Sequence, residues 1–185
     1  VDGKLIVKSP RRAFCDEKGQ PLQLTKGTAG RSGRRKLCVT DWDGDGLPDL
    51  VVNSILGKVV WYRNVGTRKE PKLASAAPIE VEWQGAQPEL AWGWMKPQGK
   101  ALLTQWRTTP VAVDWNKDGL MDLVMLDQEG YLAYFERAKV DGKLVLLSPR
   151  RAFCDENGKP LQLSKGTAGK SGRRKLCVTD WDGDG

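Results

Sequence analysis

"DWDGDGLPDLVV", residues 41–52, decides how this chain is read. It places Asp41, Asp43, Asp45 and Asp49 within nine residues, and no Lys or Arg stands among them. Carboxylates packed this closely repel one another, so the stretch needs positive charge from somewhere. Aspartates at positions 1, 3, 5 and 9, with Gly46 at position 6, suit a hard cation that takes about six to eight oxygens. Alternate positions in a tight loop aim oxygens at one centre. Gly46 permits the sharp turn, and position 7 offers the Leu47 backbone carbonyl. The inferred ion is Ca²⁺, held by Asp41, Asp43, Asp45, the Leu47 carbonyl and Asp49.

The pattern returns as "DWNKDGLMDLVM", residues 114–125, offering Asp114, Asn116, Asp118, the Leu120 carbonyl and Asp122. Asn116 exchanges one charge for a neutral oxygen, so the second site is expected to bind more weakly. "DWDGDG" at 180–185 begins the loop a third time with Asp180, Asp182 and Asp184, without the closing ligand. An Asp/Gly turn without metal is the plain alternative. An EF-hand is excluded, because position 12 holds Val52 or Met125 where a bidentate Glu is needed, and strand-like sequence flanks the loop.

Each loop sits between β-rich runs. "KLCVTD" (36–41) or "TPVAVD" (109–114) precedes it. "DLVVNSI", a Gly turn and "VVWYRNV" follow the first; "DLVMLD", a Gly turn and "YLAYFER" follow the second. A fourth apolar run comes next in each case, Pro78–Trp83 and Gly142–Ser148. Alternating, β-branched runs punctuated by Gly predict antiparallel strands, and four-stranded units in series predict β-propeller blades. The expected fold is all-β, with two complete blades and partial blades at both ends. Residues 1–35 hold the fourth strand of a preceding blade (near Lys4–Ser9) and a basic, Cys-containing connection. Residues 36–83 form a blade, 84–108 a Trp-rich connection and 109–148 a second blade. Residues 149–185 repeat the basic connection and the start of a further blade. Two blades do not close a ring, so closure calls for further sequence or for other copies of the chain.

The chain also repeats at long range. Residues 1–46 recur at 140–185 with seven differences in 46 positions. The repeat carries the cysteines, Cys15 and Cys38 in one copy, Cys154 and Cys177 in the other. No C-x-x-C spacing occurs and the chain has no histidine, which argues against zinc. Disulfides Cys15–Cys38 and Cys154–Cys177 are the expected pairing. Each would close a loop of about 24 residues, stabilise by roughly 3 kcal/mol and imply an oxidising compartment. Four free thiols are the alternative.

The quoted loops, with "GKVVWYRNVG" and "GYLAYFER" after them, resemble the FG-GAP/VCBS repeats of bacterial secreted proteins, which are related to the integrin α-chain propeller. The resemblance implies a calcium-binding β-propeller, secreted or at the cell surface, that binds carbohydrate or protein. It transfers no ligand site.

Recognition residues are therefore sought in the connections. Trp92, Trp94 and Trp106 cluster in one, and aromatic faces stack on sugar rings. Arg34, Arg35, Arg173 and Arg174 are placed to meet acidic groups of a glycan. Both sets have a plain alternative: a loop folded on its own small core, and a solvated basic loop. The net charge of +7 is compatible with an acidic partner. Nucleic acid fits a calcium-rich setting poorly, and no apolar run approaches the roughly 20 residues of a membrane span. Without Ser/His/Asp set, phosphate-cradling loop or zinc cluster, recognition or scaffolding is favoured over catalysis. The competing class is a calcium-dependent polysaccharide lyase.

Overall fold

The computed structural model describes residues 12–24, 35–54, 56–89, 96, 98–105, 107–164 and 175–183. The run near Lys4–Ser9 and residues Arg34, Trp92, Trp94, Trp106, Arg173, Arg174 and Asp184 lie outside them.

Among the described residues every regular element is a strand. In chain order these are β1 (Cys15–Asp16), β2 (Lys36–Thr40), β3 (Asp49–Asn53), β4 (Val59–Tyr62), β5 (Lys72–Leu73), β6 (Ala77–Pro78), β7 (Val81–Glu82), β8 (Val111–Val113), β9 (Asp122–Leu126), β10 (Leu132–Phe135), β11 (Arg137–Val140) and β12 (Lys143–Leu147). The unit expected at 36–83 forms a four-stranded antiparallel meander in the order β2-β3-β4-β6. The second unit forms a three-stranded sheet, β10-β9-β8.

The run expected as the second unit's fourth strand goes elsewhere. β12 pairs antiparallel with β11 and parallel with β7, so it crosses to the first unit. The reason is local: Asp141 and Gly142 both take positive φ, which folds 137–147 into its own hairpin. The free edge of β10 is taken instead by the connection that follows. Tyr134 bridges Arg150, and the Leu132 N–H donates to the Leu161 carbonyl at 2.9 Å. In the first unit the matching bond runs from the Val59 N–H to the Leu102 carbonyl at 3.2 Å. Both crossing segments pass a glycine so closely that no side chain fits. A Cβ on Gly57 would lie 2.0 Å from the Thr104 carbonyl oxygen, and one on Gly130 would lie 2.1 Å from that of Ser164.

β3 and β9 are buried along their whole length because both faces are covered. From β3, Val51 enters the core between the two sheets, where Val59, Leu102, Phe135 and Leu146 also pack. Leu50 and Val52 point the other way and meet Phe14, Leu22 and Leu24 of the 12–24 hairpin. From β9, Leu123 and Met125 enter the inter-sheet core. Aligning the two loops makes Leu123 and Met125 the counterparts of Leu50 and Val52. The front of one sheet therefore packs on the back of the next, the stacking sense of successive propeller blades.

The expected disulfides do not form: all four cysteines are free. Cys38 packs against the inter-sheet core, whereas the hairpin carrying Cys15 covers the opposite face of the same sheet. A sheet thus separates the two thiols. Cys154 and Cys177 are exposed.

Candidate metal centre

The first acidic loop joins β2 to β3. Its backbone is folded by its own carboxylates. Asp41 accepts from the N–H groups of Gly44 (2.9 Å) and Gly46 (2.8 Å), and Asp45 accepts from Leu47 (2.9 Å). Asp49 is fully buried at the first position of β3. It accepts from the N–H of Trp42 at 3.1 Å and of Asn64 at 2.6 Å, tying both ends of the loop to the start of the next connection. Burial pushes its carboxyl above the usual carboxylate range. The two backbone donors pull it back, and nearby Asp43 and Asp45 add to the rise.

Oxygens of Asp41, Asp43 and Asp49 lie within 4.8 Å of one another. The Asp43 Oδ2 meets the Arg63 Nε at 2.7 Å, and an Arg63 Nη2 reaches the Asp45 Oδ2 at 3.3 Å. The positive charge absent from the loop's sequence is thus delivered in space, from the residue following β4. Sequence reading missed Arg63 because the contact joins residues 18 to 20 positions apart. Arg63 does not satisfy the whole cluster: the Asp43 Oδ1 is buried and has no hydrogen-bond partner. A buried carboxylate oxygen without a donor, beside two further carboxylates, fits a hard divalent cation. Asp41, Asp43 and Asp49 are the residues that would hold it, and its contribution would be to neutralise and stiffen the loop.

The second loop, between β8 and β9, repeats the backbone pattern with other partners. Asp114 accepts from Asp118 (3.1 Å) and Gly119 (3.0 Å), and Asp118 accepts from Leu120 (2.8 Å). Asp122 is buried like Asp49 and accepts from the N–H of Trp115 (3.0 Å) and of Arg137 (2.7 Å), with the Tyr134 hydroxyl added at 2.9 Å. Asn116 sits where Asp43 sits in the first loop, and its amide donates to Asp118 at 3.0 Å. Lys117 adopts a left-handed φ of 60° at the position Gly44 occupies. Among the described residues no group of three carboxylates converges here. In the third loop the Gly183 N–H donates to Asp180 at 2.6 Å, as Gly44 does to Asp41, and Asp182 is exposed.

The two units meet at the first loop. Arg137, the first residue of β11 and 4 % exposed, lays its guanidinium 3.8 Å from the centre of the Trp42 ring and donates to the Trp42 carbonyl. Desolvation lowers its pKa to about 10, while Asp43, Asp49 and Asp122 favour its charge. A cavity of about 350 Å³ opens beside this contact, lined by Asp43, Trp61, Glu80, Arg137 and Leu144 among others. Of the predicted recognition residues only Arg35 is described, and it is half-buried.

Neither the curated proteins nor the solved structures give a match. A family model does: the one for an FG-GAP-like repeat aligns with residues 41–125, from the first aspartate of the first loop to the end of the second motif. The matched span contains both acidic loops and the strands β3 to β8 between them, and over those residues the chain is similar to an FG-GAP-like repeat.

Proposed function

We propose that this chain is a calcium-stabilised β-propeller module of an extracellular protein, acting in recognition or as a scaffold for a glycan or protein partner. One observation carries the calcium reading: the convergence of Asp41, Asp43 and Asp49 around a buried, unpartnered carboxylate oxygen. The FG-GAP-like match supports a propeller setting, and such repeats often bind Ca²⁺ outside the cell. The extracellular reading rests on that chemistry and not on disulfide bonding, since the cysteines are free. The cavity beside the first loop favours recognition over a purely mechanical role. It sets an indole (Trp61) beside carboxylates and a guanidinium, the mixture that grips a polyhydroxylated ring.

Isothermal titration of the chelator-treated chain with CaCl₂ tests the metal. One site in the range of about 10⁻⁴–10⁻³ M that D43N removes supports the proposal, and no heat beyond dilution refutes it. Glycan-array binding lost in W61A tests recognition. Release of unsaturated ends from pectin-like polymers would replace recognition with lyase activity.

A further inference from the structure

The cavity beside the first acidic loop has a charge that the chain as a whole does not share. The sequence carries +7. The cavity lining sets Asp43 and Glu80 against one cation among the described residues, Arg137. Arg137 is already engaged: it is buried, lies over the Trp42 ring and donates to the Trp42 carbonyl. Asp43, Asp49 and Asp122 lie close enough to favour its charge. Behind Asp43, Arg63 is divided between Asp43 and Asp45, and Asp41 converges with Asp43 and Asp49. Six carboxylates (Asp41, Asp43, Asp45, Asp49, Asp122 and Glu80) thus gather with two guanidinium groups, Arg63 and Arg137. The excess is four negative charges, and a divalent ion at the loop would halve it without changing its sign.

The surface next to Glu80 repeats that sign. Lys100 is bonded to Glu82, and Glu80 and Asp141 add to the negative surroundings of its ammonium. Glu80 itself is exposed and makes no ion pair among the described residues. Elsewhere the lining is apolar or aromatic, with Ile79 and Leu146 buried and the Trp61 indole half-buried.

A cavity of about 350 Å³ is filled by a ring better than by a slender side chain such as that of lysine. An indole and a carboxylate together attract an ammonium group, one through the negative face of its ring and the other through its charge. A sugar acid would meet like charge instead. We propose that this cavity selects an amino sugar with a free ammonium group, its ring set on Trp61 and its ammonium directed to Glu80 and Asp43. The inference rests on the reading of this cavity as a glycan-recognition site and names the class of sugar it takes.

The full chain is titrated calorimetrically with short glucosamine oligomers at mildly acidic pH, where the amine is protonated. N-acetylglucosamine and galacturonate oligomers of the same length are titrated alongside. The net charge works against the expected result, because a chain of +7 attracts acidic sugars without specificity. The glucosamine oligomer should bind roughly tenfold more tightly than its acetylated counterpart, whose amide is neutral, and added NaCl should weaken it. E80Q should lower its affinity about fivefold and E80K should abolish binding. Both variants should keep the melting temperature, because Glu80 joins its neighbours through its backbone. The preference should hold in metal-free buffer and in excess CaCl₂, which separates it from the calcium reading. Equal binding of free and acetylated oligomers, or an E80Q without effect, overturns this inference and leaves glycan recognition standing. A preference for galacturonate overturns it as well. Binding of none of the three overturns both readings.

Discussion

The two acidic loops share a backbone and differ in how their charge is settled. In the first, Asp41, Asp43 and Asp49 converge, Arg63 supplies one counter-charge, and a carboxylate oxygen remains bare. In the second, Asn116 stands in for Asp43 and donates inward, and Tyr134 adds a third donor to Asp122. Glu136 occupies the place of Arg63 and turns to Arg150, at 3.0 Å. The second loop is thus satisfied by protein donors, whereas the first keeps a buried carboxylate oxygen without one. A repeated motif therefore does not guarantee a repeated metal site. The backbone roles of the first, fifth and closing aspartates are the same in both.

That difference can be broken from several sides. The largest effect is expected at Asp122. D122A strands two backbone donors and the Tyr134 hydroxyl in a buried site, and should cost about 3–5 kcal/mol in urea unfolding. A loss no greater than that of D114A would show that the closing aspartate is not the anchor.

The next effect separates the first strands of the two units. Cys38 takes the place that Val111 takes in the second sheet, and burial pushes its thiol from 9.0 up to about 11. A raised folded pKa means that its contribution is fully present below pH 9 and is lost as pH rises towards 11. The loss is about 2–3 kcal/mol at most. C38V, which copies the second unit, should flatten that alkaline decline in thermal melts at pH 8 to 11. An unchanged slope would place the titrating group elsewhere.

Calcium comes third. At millimolar CaCl₂ a site of 10⁻⁴–10⁻³ M affinity adds about 1 kcal/mol, or roughly 2–4 °C in melting temperature. D43A should remove that increment and D118A should leave most of it. Equal losses would mean that both loops bind. The smallest effect belongs to Arg63. R63Q should lower the melting temperature of the metal-free chain slightly and enlarge the rise on adding calcium, since the guanidinium and the metal compete for Asp43. A smaller rise would make Arg63 a supporter of the bound form.

Much of this was legible because it is local. Alternation and β-branching located β2 to β4 and β8 to β10, and the Asp spacing located the loops that join them. Asp49 and Asp122 were legible as closing residues because each stands at the loop's last position. What was hidden depends on which face meets which. Arg63 reaches the loop only through the register of β3 against β4. The thiols of Cys15 and Cys38 are parted by a sheet whose far side no spacing reveals. β12 looked like the next strand of the meander, but the turn at Asp141 and Gly142 returns it to β11 and carries it to β7.

Arg137 makes the two units answerable to each other. Its backbone N–H anchors the second loop through Asp122, while its side chain caps Trp42 of the first. Peeling the sheets apart would strip a charged group of its aromatic cover and its carbonyl in one movement, so partial opening at this seam has no cheap intermediate. Heat or pulling force should therefore take the pair down together, in a single calorimetric transition.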